Sequence, residues 1–107
     1  MVELIKQQRH FLKLVVQTKP VQRTALLRNI TRPQVKAVSQ IAYNILRFTI
    51  KLTFSEKARL KRHKQFVHLL GNRKVGYYQK KQAIGQNPRI AYTLIKIALV
   101  YLRPIIQ

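Results

Sequence analysis

The chain has 107 residues, with 22 Lys and Arg set against two acidic residues, Glu3 and Glu56, for a formal net charge of +20. It is nonetheless 47% hydrophobic, so it can build a core, unlike a basic disordered tail, and its self-repulsion then calls for an external counter-charge. There is no Asp and no Cys, which leaves too few carboxylates for triad or metal-assisted chemistry and no thiolate for a metal or a disulfide. The expectation is a protein that is not an enzyme and carries no cofactor or metal.

One domain is the limit at this length, burying ~65% of the surface of the unfolded chain. The absence of Cys fits a reducing compartment or a particle interior. Met1 to Lys6 lacks the layout of a secretory signal, so a secreted location is not expected.

Taken in order, residues 3–17 place Leu4, Ile5, Phe11, Leu12, Val15 and Val16 at helical spacing. Thr18-Lys19-Pro20 breaks that helix, and Pro20 suits the first turn of the next, about 20–29, with Val21, Leu26, Leu27 and Ile30 inward. Thr31-Arg32-Pro33-Gln34 reads as a capping box opening a helix over about 32–47, with Val35, Val38, Ile41, Ala42, Ile45 and Leu46 on one face. Phe48 to Leu52 reads as an extended connector that tucks Phe48, Ile50 and Leu52 against the helices. Thr53-Phe54-Ser55-Glu56 is a second capping box, and its helix runs to about Leu70 before a Gly71-Asn72 C-cap. Shorter helices follow over about 75–84 and, capped by Asn87-Pro88 and stopped by Pro104, over about 88–102. The fold class is all-α, a single-domain bundle of five or six short helices.

The densest charge is Lys57, Arg59, Lys61, Arg62 and Lys64, which point nearly all round one helix. Solvation alone explains many such runs, but with so few acids a phosphate backbone is the better expectation, because its condensed counterions are released when Lys and Arg replace them. A second cluster is Arg73, Lys74, Tyr77, Tyr78, Lys80 and Lys81, where aromatics among cations can stack on exposed bases. Tyr77 can equally pack with Ile84, leaving Lys80 and Lys81 outward. The candidate nucleic-acid-facing part is therefore about 54–84. A further scattered set includes Lys6, Arg9, Lys13, Lys19, Arg23, Arg28, Arg32 and Lys36. Sequence-specific readout needs a groove-fitting helix with Asn, Gln or Arg in register, and Gln34, Ser39, Gln40 and Asn44 make too ordinary a face for it. His63 and His68, five apart with no Cys nearby, do not form a zinc site.

Between Ile90 and Leu102 only Thr93 and Lys96 are clearly polar. That helix is short of the ~20 residues needed to span a bilayer. It reads as the core helix, or as an interface with another protein subunit through Leu94, Ile95, Ala98 and Leu102; a membrane surface is the least expected partner.

A series of segments has a familiar order: Lys19-Pro20 with Arg23, Ala42-Tyr43-Asn44-Ile45-Leu46, Leu52-Thr53, Leu60-Lys61-Arg62-His63-Lys64, Leu70 to Val75, and Lys80-Lys81. Over about residues 18–84 it resembles the short basic proteins of Maverick/Polinton-type DNA elements and related adenovirus-like viruses. Members often continue Lys-Lys into a Gly-Gly-Phe-like turn, where this chain has Gly85-Gln86-Asn87-Pro88. The resemblance implies a virion-associated, DNA-condensing protein, similar to adenovirus core proteins, in the virion interior and the host nucleus. Two other readings stand beside it: a structural ribosomal protein, mitochondrial or otherwise, and a capsid-internal cement or membrane-active protein acting through helix 88–102.

Overall fold

Each helix in the computed structural model begins or ends where backbone groups find a defined partner. The structure describes residues 3–47 and 50–101. Among these it has eight helices and no strand: α1 (Glu3–Gln7), α2 (Arg9–Gln17), α3 (Pro20–Arg28), α4 (Arg32–Leu46), α5 (Phe54–Lys61), α6 (Lys64–Gly71), α7 (Tyr77–Gln86) and α8 (Pro88–Tyr101). The all-α class holds, but the count exceeds the five or six expected, because two expected helices are each broken in the middle.

The first break is at Gln8. Its N–H donates to Ile5 O at 3.1 Å in a tightened turn, and its carbonyl accepts from Leu12 N at 3.0 Å to start α2. The bend lets α1 bury Ile5 while packing on α4, and lets α2 bury Phe11, Leu12 and Val15 while packing on α8. A straight helix cannot face both. The second break is at Arg62–His63, where His63 N donates to Leu60 O at 2.9 Å. Lys57 and Lys61, and Arg59 and Arg62, are like-charge pairs at i,i+4 and i,i+3, each disfavouring a continuous helix by ~0.2–0.5 kcal/mol. On α5 only Leu60 is buried, so packing does little to oppose that repulsion.

Both capping boxes take part. Gln34 Oε1 accepts from Thr31 N at 2.9 Å, while at α5 Thr53 N donates to Glu56 Oε1 at 2.8 Å and Glu56 N donates to Thr53 Oγ1 at 3.2 Å. Asn87 serves both helices: its carbonyl accepts from Ala91 N at 3.1 Å to start α8, while its Nδ2 donates to Ala83 O at 2.9 Å to close α7. In the connector Ile50 is buried and Leu52 half-buried, as the alternation requires, while Phe48 lies outside the described residues. Val21, expected inward, is 84% exposed, because α3 turns its Leu27 edge to the core.

The core is built on α4 and α8. α4 packs on α1, α6, α7 and α8, and α8 packs on α2, α3, α4 and α7. α8 buries Ile90, Ala91, Leu94, Ile95, Ile97 and Ala98. Each fully buried large apolar side chain in it is worth ~1.5–3 kcal/mol. This burial fits the core reading of the last helix. Leu94, Ile95 and Ala98 are fully buried and not available to a partner subunit; Leu102 lies outside the described residues. No helix among the described residues is long and apolar enough to cross a membrane.

Gly71, expected as part of a C-cap, acts by size instead. It is buried against α4, where an added Cβ would lie 2.7 Å from Leu46 Cδ1 and 3.3 Å from Tyr43 N. Absence of a side chain there lets α6 approach α4 closely. The Cα radius of gyration is 12.4 Å, about that of an ordinary domain of this size.

Candidate nucleic-acid interface

On α5 and at its junction with α6, Lys57, Arg59, Lys61, Arg62 and Lys64 are all exposed. The junction concentrates positive potential for a backbone reason as well. Lys64 opens α6 with no acidic residue in its first turn, so its charge adds to the positive end of that helix. Glu56, the carboxylate nearest in sequence, accepts from Thr53 N at the start of α5.

Folding distributes the cations over different faces. Lys61, Arg62 and Lys64 line a groove with Phe66 and the end of α7 at Gln86. Arg59 instead faces the cleft between α3 and α8, together with Arg23 and Arg89. Arg73 and Lys74 are exposed in the turn after α6, where Asn72 Oδ1 accepts from Lys74 N at 2.9 Å.

With acids scarce, aromatic faces and carbonyls hold the arginines. Arg23 lies 3.6 Å over the Tyr92 ring and donates from Nε to Val15 O and from Nη2 to Thr18 O, at 3.1 and 3.0 Å. Arg73 lies 4.3 Å from the Tyr43 centroid and Arg32 4.4 Å from that of Tyr77. Such contacts are worth ~0.5–1 kcal/mol each at exposed sites, and they fix guanidinium planes that would otherwise wander.

Of the second cluster, Tyr77 takes the packed one of its two expected positions, and Lys80 departs from the outward position expected of it. Tyr77 is half-buried, its hydroxyl donates to Ile30 O at 3.3 Å, and its ring carries Arg32, so it is a packing residue rather than a free stacking platform. Tyr78, 77% exposed, is the open ring of the pair. Lys80 is only 6% exposed, and its Nζ donates to Ser39 Oγ at 2.7 Å, while Ser39 Oγ donates onward to Leu70 O. Burial pushes the Lys80 ammonium below its ordinary pKa. Lys81 is half-buried, 5.8 Å from the Tyr77 centroid.

Lys80 and Ser39 lie in the wall of a cavity of about 390 Å³ between α4, the turn after α6, and α7. Arg32 and Lys36 enter it from α4 and Arg73 from the turn. Tyr43 and Tyr77 form two of its walls. Arg32 and Lys36 belonged to the scattered cations, and Ser39 and Gln40 to a face too ordinary to single out. One signal for Lys80 was present in the sequence: Tyr77, Lys80 and Ile84 stand at i, i+3 and i+7, the spacing of a buried stripe.

Among the described residues no group of three or more His, Cys, Asp or Glu could hold a metal ion. Comparison of the chain with protein-family models, curated proteins and solved structures finds no match.

Proposed function

We propose that this is a non-enzymatic nucleic-acid-binding protein that neutralises the phosphate backbone of duplex DNA largely without reading its sequence. The observation that carries the reading is the exposed α5–α6 junction, where Lys57, Arg59, Lys61, Arg62 and Lys64 face solvent with Glu56 as the nearby carboxylate in sequence. Phosphate contacts of this kind position a protein on a duplex and carry no sequence information. A role in condensing the DNA of a viral or transposon-like particle extends the proposal on the resemblance of residues 18–84.

Replacing Lys61, Arg62 and Lys64 together by Gln tests it. The three sit in one groove, and loss of three phosphate contacts lowers the slope of log affinity against log salt by ~2.7. The loss is expected to be equal on unrelated duplex sequences. Loss on one sequence alone, or none, overturns the proposal. The exposed ring of Tyr78 favours a second reading, structured RNA with unpaired bases stacked on it. Competition between random duplex DNA and folded RNA decides between them.

A further inference from the structure

The cavity between α4 and α7 holds a cation that the fold does not need. Lys80 is nine-tenths buried, and its ammonium has a neutral hydroxyl, Ser39 Oγ, as its acceptor among the described residues. Arg32, Lys36 and Arg73 converge on the same space, and among the described residues no carboxylate lines it. Four like charges around one cavity, one of them desolvated, oppose folding unless an anion joins them. Packing would have accepted an apolar residue at position 80, on a stripe otherwise made by Tyr77 and Ile84.

The class of anion follows from the donors. The Arg32 and Arg73 guanidinium carbons lie 4.4 and 4.3 Å from the Tyr77 and Tyr43 ring centroids, and a guanidinium is a planar fork of donors suited to an acceptor that can take two bonds, as a phosphate can. Lysine adds a point charge at the floor of the cavity. The volume of about 390 Å³ is large for a bare anion, since water occupies about 30 Å³ of liquid per molecule. It leaves room for a sugar or base beside the phosphate, against guanidinium planes that can stack on it.

We infer that this cavity is a binding site for a phosphate group carried on a nucleotide, with Lys80 at its floor and Arg32 and Arg73 as its two clamps. The choice of a nucleotide as carrier rests on the nucleic-acid reading above; the choice of phosphate rests on the cavity. The phosphate comes either from a strand, most accessibly at its end, or from a free nucleotide.

Titration of the full chain with inorganic phosphate and with adenosine monophosphate, in chloride buffer, tests the inference. Wild type is expected to bind each saturably at one site, and Lys80→Met to bind about tenfold or more weakly, as loss of a charged hydrogen-bonding partner implies. Lys96→Gln, at an exposed position on α8 that does not line the cavity, is expected to change this affinity less than about twofold. Without phosphate, Lys80→Met should melt about 5 °C above wild type, because a buried charge is gone. Saturating phosphate should raise wild type more than the variant. Arg73→Gln, at an exposed position, supplies a second variant that weakens binding without touching the core.

A 5′-phosphorylated oligonucleotide that displaces the bound phosphate, where its unphosphorylated twin does not, assigns the site to strand ends. Displacement by adenosine monophosphate alone assigns it to free nucleotides, and either result supports the inference. Equal weakening by Lys80→Met and Lys96→Gln, or none by either Lys80→Met or Arg73→Gln, overturns it. Duplex binding with a steep salt dependence that persists in that case leaves the surface reading standing without the cavity.

Discussion

Gly71→Ala probes the contact that sets the width of the cavity. Gly71 lines it from the end of α6, and α6 lies against α4 there with no side chain between them. The new Cβ would stand 2.7 Å from Leu46 Cδ1, 3.3 Å from Tyr43 N and 3.4 Å from Ala42 C. The leucine methyl can swing aside, but the two backbone atoms move only with α4. Overpacking of this kind costs ~1–3 kcal/mol. Against it stands the better helix propensity of Ala, at most ~1 kcal/mol and less at the last residue of a helix. The net expectation is a loss of ~1–2 kcal/mol, or a Tm lower by about 5–15 °C for a domain of this size. Gly76→Ala is the control, since an added Cβ there meets nothing within 4 Å, and its change should stay within about 0.5 kcal/mol. Thermal unfolding by circular dichroism reads both. A Gly71→Ala protein as stable as wild type would show that the helices do not meet as closely as described.

Leu94→Ala should destabilise by ~2–5 kcal/mol without altering the oligomeric state, since Leu94 is fully buried inside one chain. A shift in sedimentation with little change in Tm would restore the interface reading of α8. The Lys80 ammonium sets a pH dependence whose sign follows from its burial. Its pKa is lowered in the folded state, so between that value and the ordinary lysine value the unfolded chain binds more protons and stability rises with pH. Below the lowered value the penalty is fully present. The stability advantage of Lys80→Met over wild type should therefore shrink as pH climbs from about 7 towards 10. An advantage constant across that range would mean Lys80 bears no desolvation penalty.

Much of this fold was legible because local signals agreed with tertiary demand. At α4 the Thr31–Gln34 cap, Pro33 in the first turn and the apolar run from Val35 to Ile45 all point one way, and the helix runs as expected. In α8 the near-absence of polar residues marks a helix that turns most of its faces inward, which suits a central position, although Arg89, Lys96 and Val100 reach solvent. The breaks at Gln8 and Arg62–His63 carry no proline or glycine. They arise from where neighbouring helices lie, in the first case, and from crowded like charge on a poorly buried helix, in the second. The charged residues of α5 were legible as exposed, because a run of cations has no favourable alternative. The cavity was not. Arg32, Lys36, Ser39, Gln40 and Tyr43 do form a polar stripe along α4, but which residues face it from Arg73 to Lys80 is fixed by the α4–α6 approach at Gly71 and by the turn that follows. Periodicity within one helix holds no record of that long-range juxtaposition.

On the proposed function, the charge of this chain is there to meet phosphate. The affinity of the wild-type protein for random-sequence duplex DNA, measured between about 50 and 200 mM salt, tests it most directly. A fall of ~10³-fold or more is expected across that range, for six or more phosphate contacts. An affinity that is flat with salt, or no measurable binding at its low end, would contradict it.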